Sequence, residues 1–176
     1  METKELNEAR IYVGTYAKYN NGSLQGKWVE LSDFYDLDDF IEHCAEIHED
    51  EEEPELMFQA WEEIPDGLID ERHLEETFFE FRDELDRLND KEKEAFWIWV
   101  DGNSSQLTQD AYSLVKSFQS DYIGSYASRE DFAEELAKME NALSDFALNY
   151  FDFSKYANDL FDMDFWYNDG YVFRNN

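Results

Sequence analysis

Between residues 28 and 71 the chain carries eighteen Asp and Glu residues and not one Lys or Arg. The densest part, HEDEEEPE at 48–55, places six carboxylates in eight residues. A carboxylate is not moved into an apolar interior without a partner, so this block is a solvated loop, a metal site or a surface shaped for a partner. The whole sequence shares the sign, with a formal net charge of -30 over 176 residues. Such a field opposes compaction by self-repulsion and favours basic partners; binding to nucleic acid or to a membrane surface, both anionic, is not expected.

The chain should fold nonetheless. Acidic disordered chains are poor in aromatics, whereas 31 aromatic residues and 43% hydrophobic content are spread here among the acids. A single cysteine, Cys44, excludes an intrachain disulfide and suits a reducing, cytoplasmic setting. The opening METKELNEAR has no apolar stretch that could act as a signal, and no run approaches the roughly 18 apolar residues of a membrane span.

Periodicity predicts an α+β chain in three parts. In residues 1–66, RIYVGTY and GKWVEL read as a hairpin with a long ordered loop containing Asn21-Gly22. Asp36 then caps a helix bearing Leu37, Phe40, Ile41, Cys44 and Ile47, and LMFQAW returns as a third strand. The Pro65-Asp66-Gly67 turn opens a central helical part, 67–119. It holds a helix over 70–88 with Leu74, Phe78, Phe81, Leu85 and Leu88 on one stripe, a second in KEKEAFWIWV before Asp101-Gly102, and a third capped by Thr108 that packs Ala111, Tyr112, Val115 and Phe118. Residues 120–176 read as α+β again: a strand at DYIGSY, a helix capped by the Ser128/Asp131 pair, and a hairpin turning at Asn168-Asp169-Gly170.

Catalytic and metal chemistry find little footing. His43 and His48 are five residues apart, which misses the four-residue spacing that sets two histidines on one helical face, and neither acidic run has the pattern of a calcium loop. No glycine pattern suits a phosphate, and Cys44 falls on an apolar stripe where a packed thiol is expected. No cofactor, metal or enzymatic activity is therefore expected.

The acids remain, and their number suggests a comparison. Duplex DNA carries one charge per ~1.7 Å of axis, so thirty excess charges match about 51 Å of duplex, whereas a compact globule of this length has a radius of gyration of only ~16 Å. A single helix row such as Asp39, Glu42, Glu46 and Asp50 supplies about one charge per 5.4 Å turn, roughly a third of that density. Several folded elements would have to lie side by side to match it.

The sequence RIYVGTYAKYNNGSLQGKW at 10–28 closely resembles the opening of the ArdA antirestriction family, and NYFDFSKYANDL at 149–160 resembles its C-terminal signature segment. The resemblance implies an elongated protein of three small domains that mimics bent B-form DNA and is carried by mobile genetic elements. It implies dimerisation through the C-terminal region and inhibition of type I restriction-modification enzymes by occupation of the DNA groove of their methyltransferase core. The acids expected to face the partner are Asp33, Asp36, Asp38, Asp39, Glu42, Glu46, Glu49, Asp50, Glu51, Glu52, Glu53, Glu55, Glu62 and Glu63, with Glu130, Asp131, Glu134 and Glu135 contributing. Asn149, Tyr150, Phe151, Phe153, Tyr156 and Leu160 are the expected dimer interface. The competing reading is an acidic adaptor or chaperone for a basic DNA-binding protein.

Overall fold

The computed structural model describes residues 3–103, 107, 109–140 and 143–175. Its first part is a three-stranded antiparallel sheet of order β2-β1-β3, from Arg10–Thr15 (β1), Lys27–Glu30 (β2) and Leu56–Glu62 (β3). Ile11 pairs with Val29 and Trp61, and a register shift between Tyr12 and Val13 leaves Gln59 as an extra residue on β3. The inward alternation of Ile11, Val13 and Val29 meets Phe40 and Cys44 of α2 (Leu37–Ile47), which covers that face. Ile41, expected on the buried stripe of α2, lies at its margin and is exposed. The predicted hairpin loop contains a short helix, α1 (Tyr16–Asn20), because the Thr15 hydroxyl accepts the Lys18 N–H and caps it.

The centre consists of α3 (Thr77–Leu85), α4 (Asp90–Gly102) and α5 (Ala111–Asp121). The helix predicted from residue 70 begins only at Thr77. The Asp70 carboxylate accepts the N–H groups of Arg72 and His73 and folds that stretch into a turn, closed by an Ile69–Leu74 bridge, with Glu71 O accepting from Phe58 N on β3. The stripe itself is as expected, since Leu74, Phe78, Phe81, Leu85 and Leu88 are all buried. Asn89 and Glu92 form a capping box for α4, which runs on through Asp101-Gly102, and residues 95–100 are buried without interruption. Asp110 caps α5; Thr108, predicted for that role, lies outside the described residues. Tyr112 turns outward and Leu114 takes its place in the core.

The third part is a second three-stranded sheet of order β4-β6-β5, formed by Tyr122–Ser125 (β4), Phe165–Asn168 (β5) and Tyr171–Arg174 (β6). The predicted Asp169-Gly170 turn is present, with φ of 46° and 86°, the left-handed pair that a two-residue hairpin loop requires. Helices α6 (Arg129–Met139) and α8 (Phe153–Met163), with the short α7 (Asp145–Leu148) between them, complete the chain, and α6 packs on α8. β6 is buried on both faces: Tyr171 and Phe173 join the core shared with the central helices, while Val172 points to the opposite side of the sheet. One hydrophobic cluster therefore runs from Leu6 to Phe173. Two joints bind the second sheet to α4: the Tyr171 hydroxyl donates to Glu94 at 2.7 Å, and Gly102 lies so close to Trp166 that a Cβ there would stand 2.6 Å from its ring.

Candidate functional site

The acidic block folds into three consecutive pieces that share one side of the first sheet. The first is a 3-10 turn, Leu31–Asp33, leading into α2; the second is α2; the third is the loop 48–55 that returns to β3. Amphipathicity decides which side chains face water. Phe40 and Cys44 take the core side, which leaves Asp38, Asp39, Glu42 and Glu46 exposed on the outer face of α2. Asp33 and Asp36 are exposed before it, and Glu49, Asp50, Glu52, Glu53 and Glu55 after it. Asp36 also works locally, accepting the Asp39 N–H at 3.0 Å as the cap of α2. Asp38 and Asp39 in the first turn then face the positive end of the helix dipole.

Cations from distant parts of the chain hold these pieces in place. Arg82, on the apolar side of α3 and only 8% exposed, donates through one guanidinium nitrogen to Leu31 O at 3.0 Å and Phe34 O at 2.8 Å, while pairing with Asp83 at 2.9 Å. It ties the entry of α2 to the central helices. Lys18 of α1 answers the HEDEEEPE loop: its ammonium lies 2.8 Å from Asp50 and 3.6 Å from Glu51. Glu51 also accepts the Thr15 hydroxyl at 2.6 Å. His48 is buried beneath, its Nδ1 2.9 Å from the Lys18 ammonium and its Nε2 3.3 Å from Val13 O. An ammonium can only donate, so Nδ1 accepts and Nε2–H donates to the strand carbonyl. The Lys18 hydrogen bond holds the Asp50 carboxyl below the usual carboxylate range, and the same bond raises Lys18.

The helical row expected to run through Asp39, Glu42, Glu46 and Asp50 therefore ends at Glu46. The helix stops at Ile47, and Asp50 turns to Lys18. Elsewhere, Arg10 takes Glu62 at 2.6 Å and Glu30 at 3.9 Å, and the Glu63 carboxylate accepts the Glu5 N–H at 3.0 Å. Asp33, Asp38, Asp39, Glu42, Glu49, Glu52, Glu53 and Glu55 have no ion pair among the described residues and present their charge to solvent. On α6, Glu130 and Asp131 are exposed in the first turn, Glu134 pairs with Lys138 at 2.5 Å, and Glu135 accepts from the Tyr126 hydroxyl at 3.4 Å.

The segment expected to dimerise is a turn followed by α8. Asn149 and Tyr150 are exposed, Phe151 stacks edge-on against Phe153 and Tyr156, and those three and Leu160 are half-buried. Phe146 lies beside Tyr150, ring centroids 5.1 Å apart, and both are strongly exposed. Cys44 is fully buried, and desolvation pushes its thiol up to about 12, so it packs as a small apolar group. The cations were the missed residues. Arg82 leaves one trace in the sequence, a lone charge inside the Phe78, Phe81, Leu85 stripe; Lys18 leaves none, because its partners lie 32 and 33 positions further on.

A family model described as antirestriction protein (ArdA) matches residues 11–173 of the chain. No curated protein matches it.

Proposed function

The chain belongs to the ArdA antirestriction family, and from that premise we propose that it is an acidic imitation of DNA that inhibits type I restriction-modification enzymes. It does so by lying in the DNA groove of their methyltransferase core, blocking restriction and modification together. The observation that carries this reading is the set of exposed carboxylates without ion pairs between Asp33 and Glu55, mounted on a capped helix and on a loop tied at both ends rather than on a free tail. The helix α2 is ~16.5 Å long at 1.5 Å per residue, over which a duplex carries about ten charges. Its four exposed acids supply less than half of that, and Asp33, Asp36 and the loop acids lie on either side to add to them.

Three further statements belong to the proposal. The chain divides into small domains at 1–66, 67–119 and 120–176, arranged as an elongated body. Its accessible surface, 10589 Å² for 21.0 kDa, exceeds the ~9,000 Å² of a compact monomer of that mass. It assembles as a homodimer through residues 149–160, and it acts in the cytoplasm, where the enzyme and its substrate are. The test is to titrate the purified chain into type I cleavage and methylation assays, with single and combined Gln substitutions at Asp38, Glu42, Glu52 and Glu53. An exposed ion pair is worth ~0.2–1 kcal/mol, so each neutralised acid should weaken inhibition by a factor of about 1.4 to 5. Losses should accumulate with number. One substitution that abolished inhibition in a folded protein would mean a specific site and overturn the distributed reading. Broad binding of unrelated basic proteins without displacement of DNA would favour the adaptor.

A further inference from the structure

α2 covers one face of the first sheet; the other is open and aromatic. Tyr12 and Trp28 pair across β1 and β2 on that face, with rings 5.5 Å apart, and Gly14 adds no side chain to it. The arm formed by α1 and residues 21–26 curls over one end, held by the Tyr12 hydroxyl donating to Leu24 O at 3.0 Å. Gly26 is required for that approach, because a Cβ there would lie 2.4 Å from Val13 O. Between arm and β3 lies a groove of about 560 Å³, lined chiefly by Tyr12, Tyr19, Leu24, Met57, Gln59 and Glu71. That volume is in the range of small-ligand sites.

Its chemistry is specific: on the open face it offers two tyrosine rings, the apolar side chains of Leu24 and Met57, the Gln59 amide and one carboxylate, with no cationic residue in the lining. An aromatic surface of this kind could stack a nucleobase, but Glu71 within it and the chain's net charge of -30 repel a phosphate chain. The same charge attracts a cation, and a planar one suits rings best. The flanks of the groove show the pairing within the chain itself. Arg10 lies 4.8 Å above the Trp28 ring while bonding Glu62, and Arg72 lies 5.2 Å above the Tyr16 ring, whose hydroxyl bonds Glu71.

We propose that this groove is a socket for one arginine side chain of the basic partner, its guanidinium stacked on the Tyr12 and Tyr19 rings and paired with Glu71. The proposal rests on the reading that the partner is a DNA-binding surface, and it adds a fixed anchor to an otherwise distributed charge match. Such a point contact would set the register of the acidic face on its partner, which diffuse charge alone sets poorly.

Two arms test it. In the first, the indole resonance of Trp28, whose ring packs against Tyr12, is followed by NMR as N-acetyl-arginine amide is added, with the lysine and norleucine amides as controls. A saturable shift with arginine, a weaker one with lysine and none with norleucine is expected, and Glu71→Gln or Tyr19→Ala should remove it; an equal shift with norleucine, or none with arginine, overturns the proposal. In the second, inhibition of the type I enzyme is compared for wild type, Tyr19→Ala and Tyr19→Phe. Tyr19 is half exposed, and loss of its ring should weaken inhibition about 2- to 30-fold while Phe retains it. Unchanged inhibition by folded Tyr19→Ala overturns the socket and leaves DNA mimicry standing. A wild type that does not inhibit at all defeats the mimic instead, and the first arm still decides whether the groove binds arginine.

Discussion

Replacing Arg82 with Met should loosen the acidic face from beneath without touching any of its charges. The guanidinium gives two hydrogen bonds to main-chain oxygens, Leu31 O at 3.0 Å and Phe34 O at 2.8 Å, in a residue only 8% exposed. Hydrogen bonds from a charged donor contribute ~1.5–3 kcal/mol each, so removal of both costs about 3–6 kcal/mol. Part returns, because Met relieves the desolvation of a buried cation, although it also gives up the guanidinium's place 5.1 Å above the Phe79 ring. A net loss of ~2–4 kcal/mol is expected, which at ~2–4 °C per kcal/mol for a chain of this size lowers Tm by about 4–16 °C. Urea unfolding measures the first figure and calorimetry the second. Hydrogen exchange adds the location: protection should fall first at the Asp39 and Phe40 amides of the α2 entry, ahead of α4. Arg82→Lys, which keeps the charge but not the fork, should fall between. A Met variant within ~0.5 kcal/mol of wild type, or one with unchanged exchange at α2, would refute the assignment of Arg82 as the tie.

Three other outcomes follow from the same geometry. Asp50 is depressed, so its contribution is present above its unfolded pKa and lost as pH falls through the folded value below 3.8; Lys18 is raised, so its contribution is present below 10.5 and lost as pH climbs through its folded value. Lys18→Met should therefore speed proteolysis of the 48–55 loop at neutral pH, and the difference from wild type should vanish in strong acid; an unchanged cleavage rate at pH 7 would refute the tie. With a net charge of -30, Tm should rise between about 10 and 200 mM NaCl as repulsion is screened; a Tm that fell steadily over that range would contradict it. Tyr150→Ala should weaken self-association with an unchanged circular dichroism spectrum, and an unaltered dimer in sedimentation would move the interface away from residues 149–160.

Features set by near neighbours were legible in the sequence. Asp36 and Ser128 cap because an oxygen three residues ahead of a free N–H is a local matter, and Asp169-Gly170 turns because its φ values demand it. The start of α3 was misjudged because an apolar period continues through Leu74, while the Asp70 side chain satisfies two amides in a turn that periodicity does not register. The end of α4 was misjudged for a tertiary reason: Asp101-Gly102 looks like a stop, but the glycine lets the Trp166 ring approach the continuing helix. The acidic candidates were legible as a population and not as individuals. Which of them are answered depends on Lys18, Arg10 and Lys138 arriving from other elements or other turns, so Asp50, Glu51, Glu62 and Glu134 are partly neutralised while Asp38, Glu42, Glu52 and Glu53 have no ion pair among the described residues. The open aromatic face of the first sheet passed unnoticed because Tyr12, Tyr19, Met57 and Glu71 meet only once β3 is paired to β1.

The central claim is that this acidic face and duplex DNA occupy the same groove. Fluorescence anisotropy of a labelled duplex bound to a type I methyltransferase core, titrated with the chain at two salt concentrations, tests it most directly. The account predicts complete displacement of the duplex, an apparent Kd for the chain that increases in proportion to duplex concentration, and weaker displacement at higher salt. Inhibition accompanied by a stable ternary complex, with the duplex still bound, would contradict it.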